Sequence, residues 1–103
     1  MRTVIKKYGD KEYIMKLGAR QKKLYSDITK KPILTDEEPT YSDILTLVRC
    51  AISFSNKFIS EDEVLNLADE IGDKELYKLY GDLLRAMIEE FDDNKDIIPS
   101  DKR

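Results

Sequence analysis

The chain has 103 residues, 41% of them hydrophobic and 38% charged, with a formal net charge of −3 and no histidine. Such a length fits one domain with a core of modest depth, and no apolar run approaches the ~20 residues of a membrane span. Residues 1–31 carry ten Lys/Arg against three Asp/Glu, a net of +7, and the remaining residues carry eight against eighteen, a net of −10. This division points to electrostatic docking, either within the molecule or head-to-body between copies.

The fold class expected is α+β, mainly α: an N-terminal β-hairpin followed by about four α-helices in a small bundle. One domain is expected over residues 1–95, with a flexible tail at 96–103. The stretch from Met1 to Lys7 has a charge in every window able to serve as a signal-peptide core, so the protein is expected to stay where it is made. The hairpin covers 2–17, turning at Gly9-Asp10 between β-prone runs. A two-residue loop there makes paired positions sum to 19, so Val4 faces Met15, Ile5 faces Ile14 and Lys7 faces Glu12. Val4, Tyr13, Met15 and Leu17 then share the face to be buried. Gly18 stands between strand and helix, where a positive φ is often needed. The first helix, about 19–30, is polar with Leu24, Tyr25 and Ile28 on one side, and Lys31-Pro32 ends it.

Three stronger helices follow. The second, about 42–56, repeats Ile44, Leu47, Val48, Ala51 and Ile52 at helical spacing. The third, 61–71, opens with the capping box Ser60-Glu61-Asp62-Glu63, carries Val64, Leu67, Ala68 and Ile71, and stops at Gly72. The fourth, 74–91, repeats Leu76, Leu79, Tyr80, Leu83, Leu84, Met87 and Phe91. Gly81 lies within it and is expected to admit a closely packed neighbour.

Reactive chemistry finds little footing. Without histidine the chain lacks the commonest general base, the usual metal ligand and the partner of a Ser or Cys nucleophile. Cys50, the single cysteine, stands among apolar neighbours and reads as a buried, inert thiol. The acidic pairs Glu37-Glu38, Glu61-Asp62, Asp69-Glu70 and Glu89-Glu90 fall in turns, caps or solvent faces. A calcium loop starting at Asp92 fails, because Ile97 and Arg103 occupy the positions that need glycine and glutamate. No glycine-rich phosphate cradle is present. The expectation is a protein that is not an enzyme and has no catalytic residue, metal site or cofactor.

Apolar residues outside the helical stripes are the candidate partner-binding residues: Ile5 and Ile14 on the second hairpin face, Ile33, Leu34 and Tyr41 around the acidic connection, Phe54, Phe58 and Ile59 beyond the second helix, and Tyr77 and Ile88 beside the fourth stripe. Together they exceed what a small monomer leaves uncovered. The lysines of residues 6–31 interleave with Tyr8, Tyr13 and Tyr25, a composition suited to single-stranded nucleic acid. A sequence pI of about 5.0 and the acidic remainder weigh against that partner.

The order of parts resembles a known family. Lys7-Tyr8-Gly9-Asp10-Lys11-Glu12-Tyr13 leads through Lys16-Leu17-Gly18-Ala19-Arg20 into a polar helix. Tyr41-Ser42-Asp43-Ile44-Leu45-Thr46-Leu47-Val48-Arg49-Cys50-Ala51 opens the central helix, and the segment from Ser60 to Gly72 precedes an amphipathic helix. Over about residues 3–91 this is similar to the small tail assembly chaperones of long-tailed bacteriophages and prophages of Gram-positive bacteria. The resemblance implies a non-catalytic viral protein acting in the cytoplasm of the infected bacterium and absent from the mature virion. Its implied partners are the tape measure protein, which it coats and keeps soluble, and the tail tube protein, which it recruits, with further copies of itself as a homo-oligomer. The alternative is a small helical protein-binding adaptor or regulator of phage or bacterial origin, ahead of a single-strand nucleic-acid binder acting through the basic segment.

Overall fold

The computed structural model describes residues 3–97, with side chains for residues 3–89. Strands β1 (Val4–Tyr8) and β2 (Lys11–Met15) pair antiparallel. Val4 faces Met15, Ile5 faces Ile14 and Lys7 faces Glu12. Gly9 takes φ 61 in the intervening turn, a conformation that costs an L side chain about 1–2 kcal/mol. The face holding Met15 turns inward, with Met15 at 1% exposure, whereas Ile5 and Ile14 face out.

Helix α1 spans Ala19–Thr29. Its N-cap, Gly18, has φ −83, so the expected positive φ is absent. The Gly18 backbone N–H instead donates to Gln21 Oε1 at 3.0 Å, which satisfies one of the free amides at the helix start. Of the expected stripe, Tyr25 is buried and Leu24 half-buried, but Ile28 is exposed. The first helix therefore contacts the body by a narrow edge.

Helix α2 (Tyr41–Ile52) is the centre of the molecule, in contact with α1, β2 and the helix that follows. Ile44, Leu45, Leu47, Val48, Cys50, Ala51 and Ile52 are all buried. Full burial of each large aliphatic side chain stabilises the fold by roughly 1.5–3 kcal/mol. The helix stops short of the expected 56. The Ser53 hydroxyl donates to the Cys50 carbonyl at 2.6 Å, and its backbone N–H reaches the carbonyls of Arg49 and Cys50, tightening the last turn until it ends.

The expected four helices become three. The third and fourth abut with no loop between them and form one element, α3 (Glu61–Ile97), interrupted by non-helical backbone at Gly72 (φ 83, ψ 160). A single glycine supplies the break, because that conformation is open to almost no other residue. The Ser60–Glu63 box closes the N-terminus: Ser60 Oγ accepts from Glu63 N at 3.1 Å and Glu63 Oε1 from Ser60 N at 3.2 Å. Val64, Leu67, Ala68, Leu76, Leu79 and Leu83 are buried, largely against α2. A Cβ added at Gly81 would meet nothing within 4 Å, so the close neighbour expected there is absent among the described residues. The helix outruns its expected end at 91, and the expected tail lies, from residue 98 onward, outside the described residues. No helix among the described residues is long and apolar enough to cross a membrane.

The divided charge closes partly on itself. Lys6 Nζ lies 3.1 Å from Asp82 Oδ2, and the Tyr8 hydroxyl donates to Glu75 Oε2 at 2.8 Å. Both contacts pin the basic hairpin to the acidic α3.

Candidate docking site

The connection between α1 and α2 is held at both ends, and this sets the position of Ile33 and Leu34. Lys30 ends α1 in the left-handed conformation (φ 62), donating its N–H to the Ser26 carbonyl at 2.8 Å. Pro32, lacking an N–H, cannot extend the helix. Lys31 turns back to place its Nζ 2.8 Å from Asp43 Oδ2. Asp43 also completes the cap of α2: Thr40 Oγ1 accepts from Asp43 N at 3.1 Å, and Asp43 Oδ2 accepts from Thr40 N at 3.0 Å. Between these anchors Ile33 packs against the core, half-buried, while Leu34 stays 59% exposed.

A groove of about 640 Å³ opens beside them. Its floor is Pro32, Ile33 and Leu34 with Met87 and Ile88 of α3, and its α1 wall is Lys22, Lys23 and Ser26. Lys23 also pairs with Asp27, at 2.8 Å. Lys22 has no ion pair among the described residues. The result is an apolar trough with a basic edge, in the size range of sites that enclose a ligand or a few side chains.

Of the candidate residues, the groove gathers Ile33, Leu34 and Ile88. The others lie apart from it. Ile5 and Ile14 form a cross-strand pair on the hairpin's outer face. Tyr41 and Tyr77 are both exposed, and the Tyr41 hydroxyl donates to Asp73 Oδ1 at 3.4 Å. Loss of solvent, and after it the Asp73 carboxylate, raises the Tyr41 phenol above its usual range. The Arg49 guanidinium stands over the exposed Phe58 ring, 4.2 Å from its centroid, while Phe54 is half-buried. Ile59 was expected at the surface and is instead core, at 7% exposure. Its carbonyl accepts from both Arg49 Nε (3.1 Å) and Nη2 (3.0 Å), and this fork draws the chain inward before α3.

Met87, Lys22 and Lys23 belong to the groove but not to the residues chosen from sequence. Met87 continues the apolar stripe of α3, and its period alone assigns it to the core. The two lysines read as an ordinary solvated face.

A second concavity of about 610 Å³ lies between the hairpin tip and the start of α3, lined by Tyr8, Lys11, Tyr13, Lys57, Glu63 and Glu70 among others. It mixes both signs of charge and defines no ligand chemistry. The Cys50 thiol, at 0% exposure, is pushed up to about 11 by burial, so it is a poor nucleophile. Among the described residues no group of three or more His, Cys, Asp or Glu side chains is placed to hold a metal ion. The chain matches no protein-family model, no curated protein and no solved structure.

Proposed function

We propose that this chain is a non-catalytic tail assembly chaperone of a long-tailed phage or prophage, acting in the host cytoplasm and absent from the mature virion. In this reading it binds the tape measure protein, keeps it soluble and brings tail tube subunits to it. The observation that carries the reading is the apolar groove with a basic edge, a surface suited to another polypeptide. A tape measure is a long helix with apolar stripes, and helix-in-groove contact is the natural way to cover it. Many weak copies along one rod gain strength through multivalency. The resemblance in the order of parts supports the same conclusion.

The tyrosines that interleave with lysine favour protein over nucleic acid as the partner. Tyr25 is buried, and Tyr8 and Tyr13 pack half-buried against the core, so none stands free as a platform for bases.

Coexpression with the long tape measure reading frame downstream of its gene tests the proposal. Both proteins should stay in the soluble fraction and copurify. A tape measure that aggregates to the same extent with and without this chain would defeat the reading.

A further inference from the structure

We infer that the groove between α1 and the C-terminal half of α3 is the docking site for one amphipathic helix of a partner protein, a helix with an acidic edge along its apolar ridge. The inference rests on the chaperone reading only for the partner's identity, since the chemistry follows from the groove itself.

Three observations select this occupant. The walls are helices and a capped connection, and the sole sheet among the described residues is the hairpin, so an added strand has no edge to pair with here. The floor of Pro32, Ile33, Leu34, Met87 and Ile88 is apolar, which suits the apolar ridge of an amphipathic helix. The α1 edge carries Lys22, which has no ion pair among the described residues, and Lys23, which is shared with Asp27; together they complement carboxylates flanking that ridge.

The described side chains do not favour a second copy of this chain as the occupant. Among the described residues the exposed large apolar side chains on helices are Ile28, Tyr41, Leu65, Tyr77 and Ile88, and no two stand at i, i+3 or i+4 of one helix. The described side chains therefore offer no such ridge. Packing groove against groove about a two-fold axis would bring two lysine-edged surfaces together, which adds like charge to the contact.

The test uses the full chain and two labelled synthetic helical peptides with the same leucine ridge, one edged with glutamate and one with lysine. Fluorescence anisotropy should show the glutamate-edged peptide binding at least about tenfold tighter at low salt, with the margin narrowing at physiological salt. Lys22→Glu with Lys23→Glu should reverse the preference. Leu34→Ser with Ile88→Ser should weaken both peptides while circular dichroism stays unchanged, because both residues are exposed. Equal affinity for the two peptides, or binding that survives the serine variant, overturns the inference. So does a change in the chain's own sedimentation on making that variant, which would mean that the groove holds a second copy. The two proposals fail separately. If the serine variant still keeps the tape measure soluble, the groove assignment falls and the chaperone stands. If the wild type binds the peptide through the groove yet leaves the tape measure insoluble, the chaperone falls and the groove stands.

Discussion

Lys31 and Asp43 meet at 2.8 Å across twelve positions of sequence, and this one contact ties the end of α1 to the start of α2. Asp43 is only 7% exposed, so its carboxylate keeps company with a lysine ammonium and a backbone amide in place of water. Pro32, Ile33 and Leu34, the part of the groove floor that belongs to the connection, lie between these anchors.

Asp43→Ala removes a cap and a charge-assisted hydrogen bond together and should cost about 2 kcal/mol. The Lys31 ammonium, ahead of other causes, holds the Asp43 carboxyl below its usual 3.8. A group depressed in the folded state stabilises above its unfolded value, and that stability is lost as pH falls through the lower folded value. The gap between wild type and variant should thus be full at neutral pH and narrow once pH drops below 3.8. Urea unfolding across that range measures it, and a gap independent of pH would count against the ion pair.

The opposite limb of the pH scale reports on the hairpin. Burial first, and then Glu75, raises the Tyr8 phenol above 10.0, and burial pushes Tyr25 up to about 12. Groups raised in the folded state stabilise fully below their unfolded value, so stability should decline as pH climbs past 10.0. Tyr8→Phe should cost about 1 kcal/mol at neutral pH by leaving Glu75 without its donor, and should make the alkaline decline shallower. Unchanged unfolding midpoints in this variant would show that the hairpin is not held by that bond.

Much of this fold is written in local pattern. The turn at Gly9-Asp10 and the alternation around it specify the hairpin register, the spacing of Ile44 through Ile52 specifies the central helix, and Ser60 with Glu63 marks the start of α3. What local pattern omits is anything decided between distant residues. Ile33 and Leu34 read as candidates for a partner, but their place beside α3 is set by Lys31 meeting Asp43. Met87 reads as core, where it packs partly buried while also lining the groove. Gly72 reads as a stop because glycine commonly ends helices, and a new helix is expected from 74. What the pattern does not show is that the two helices abut at Gly72 with no loop between them.

The two glycines of α3 should respond to alanine in opposite directions. Gly72 holds φ 83 and ψ 160, where a Cβ costs roughly 1–3 kcal/mol, so Gly72→Ala should destabilise the protein or straighten the helix. Gly81 is helical with open space around it, and Gly81→Ala should stabilise by up to about 1 kcal/mol through helix propensity. Thermal unfolding of the two variants beside wild type decides the matter. A destabilised Gly81→Ala would mean that a neighbour packs there after all.

Phe58 and Ile59 are adjacent, both apolar, and lie in a segment without helical or strand period, so sequence assigns them the same role. Their surroundings differ: Phe58 is 39% exposed beneath the Arg49 guanidinium, whereas Ile59 is 7% exposed among core side chains. Phe58→Asp loses a cation–π contact of about 1 kcal/mol and places a carboxylate beside a guanidinium, so the variant should remain folded. Ile59→Asp puts an unpaired charge into the apolar interior and should cost roughly 3–5 kcal/mol, a large share of the 5–15 kcal/mol that holds a typical domain together. Circular dichroism with urea titration separates them: a helical Phe58→Asp with a nearly unshifted midpoint, and an Ile59→Asp that is unfolded or close to it. Equal tolerance at both positions would mean that the Arg49 fork does not draw Ile59 into the core.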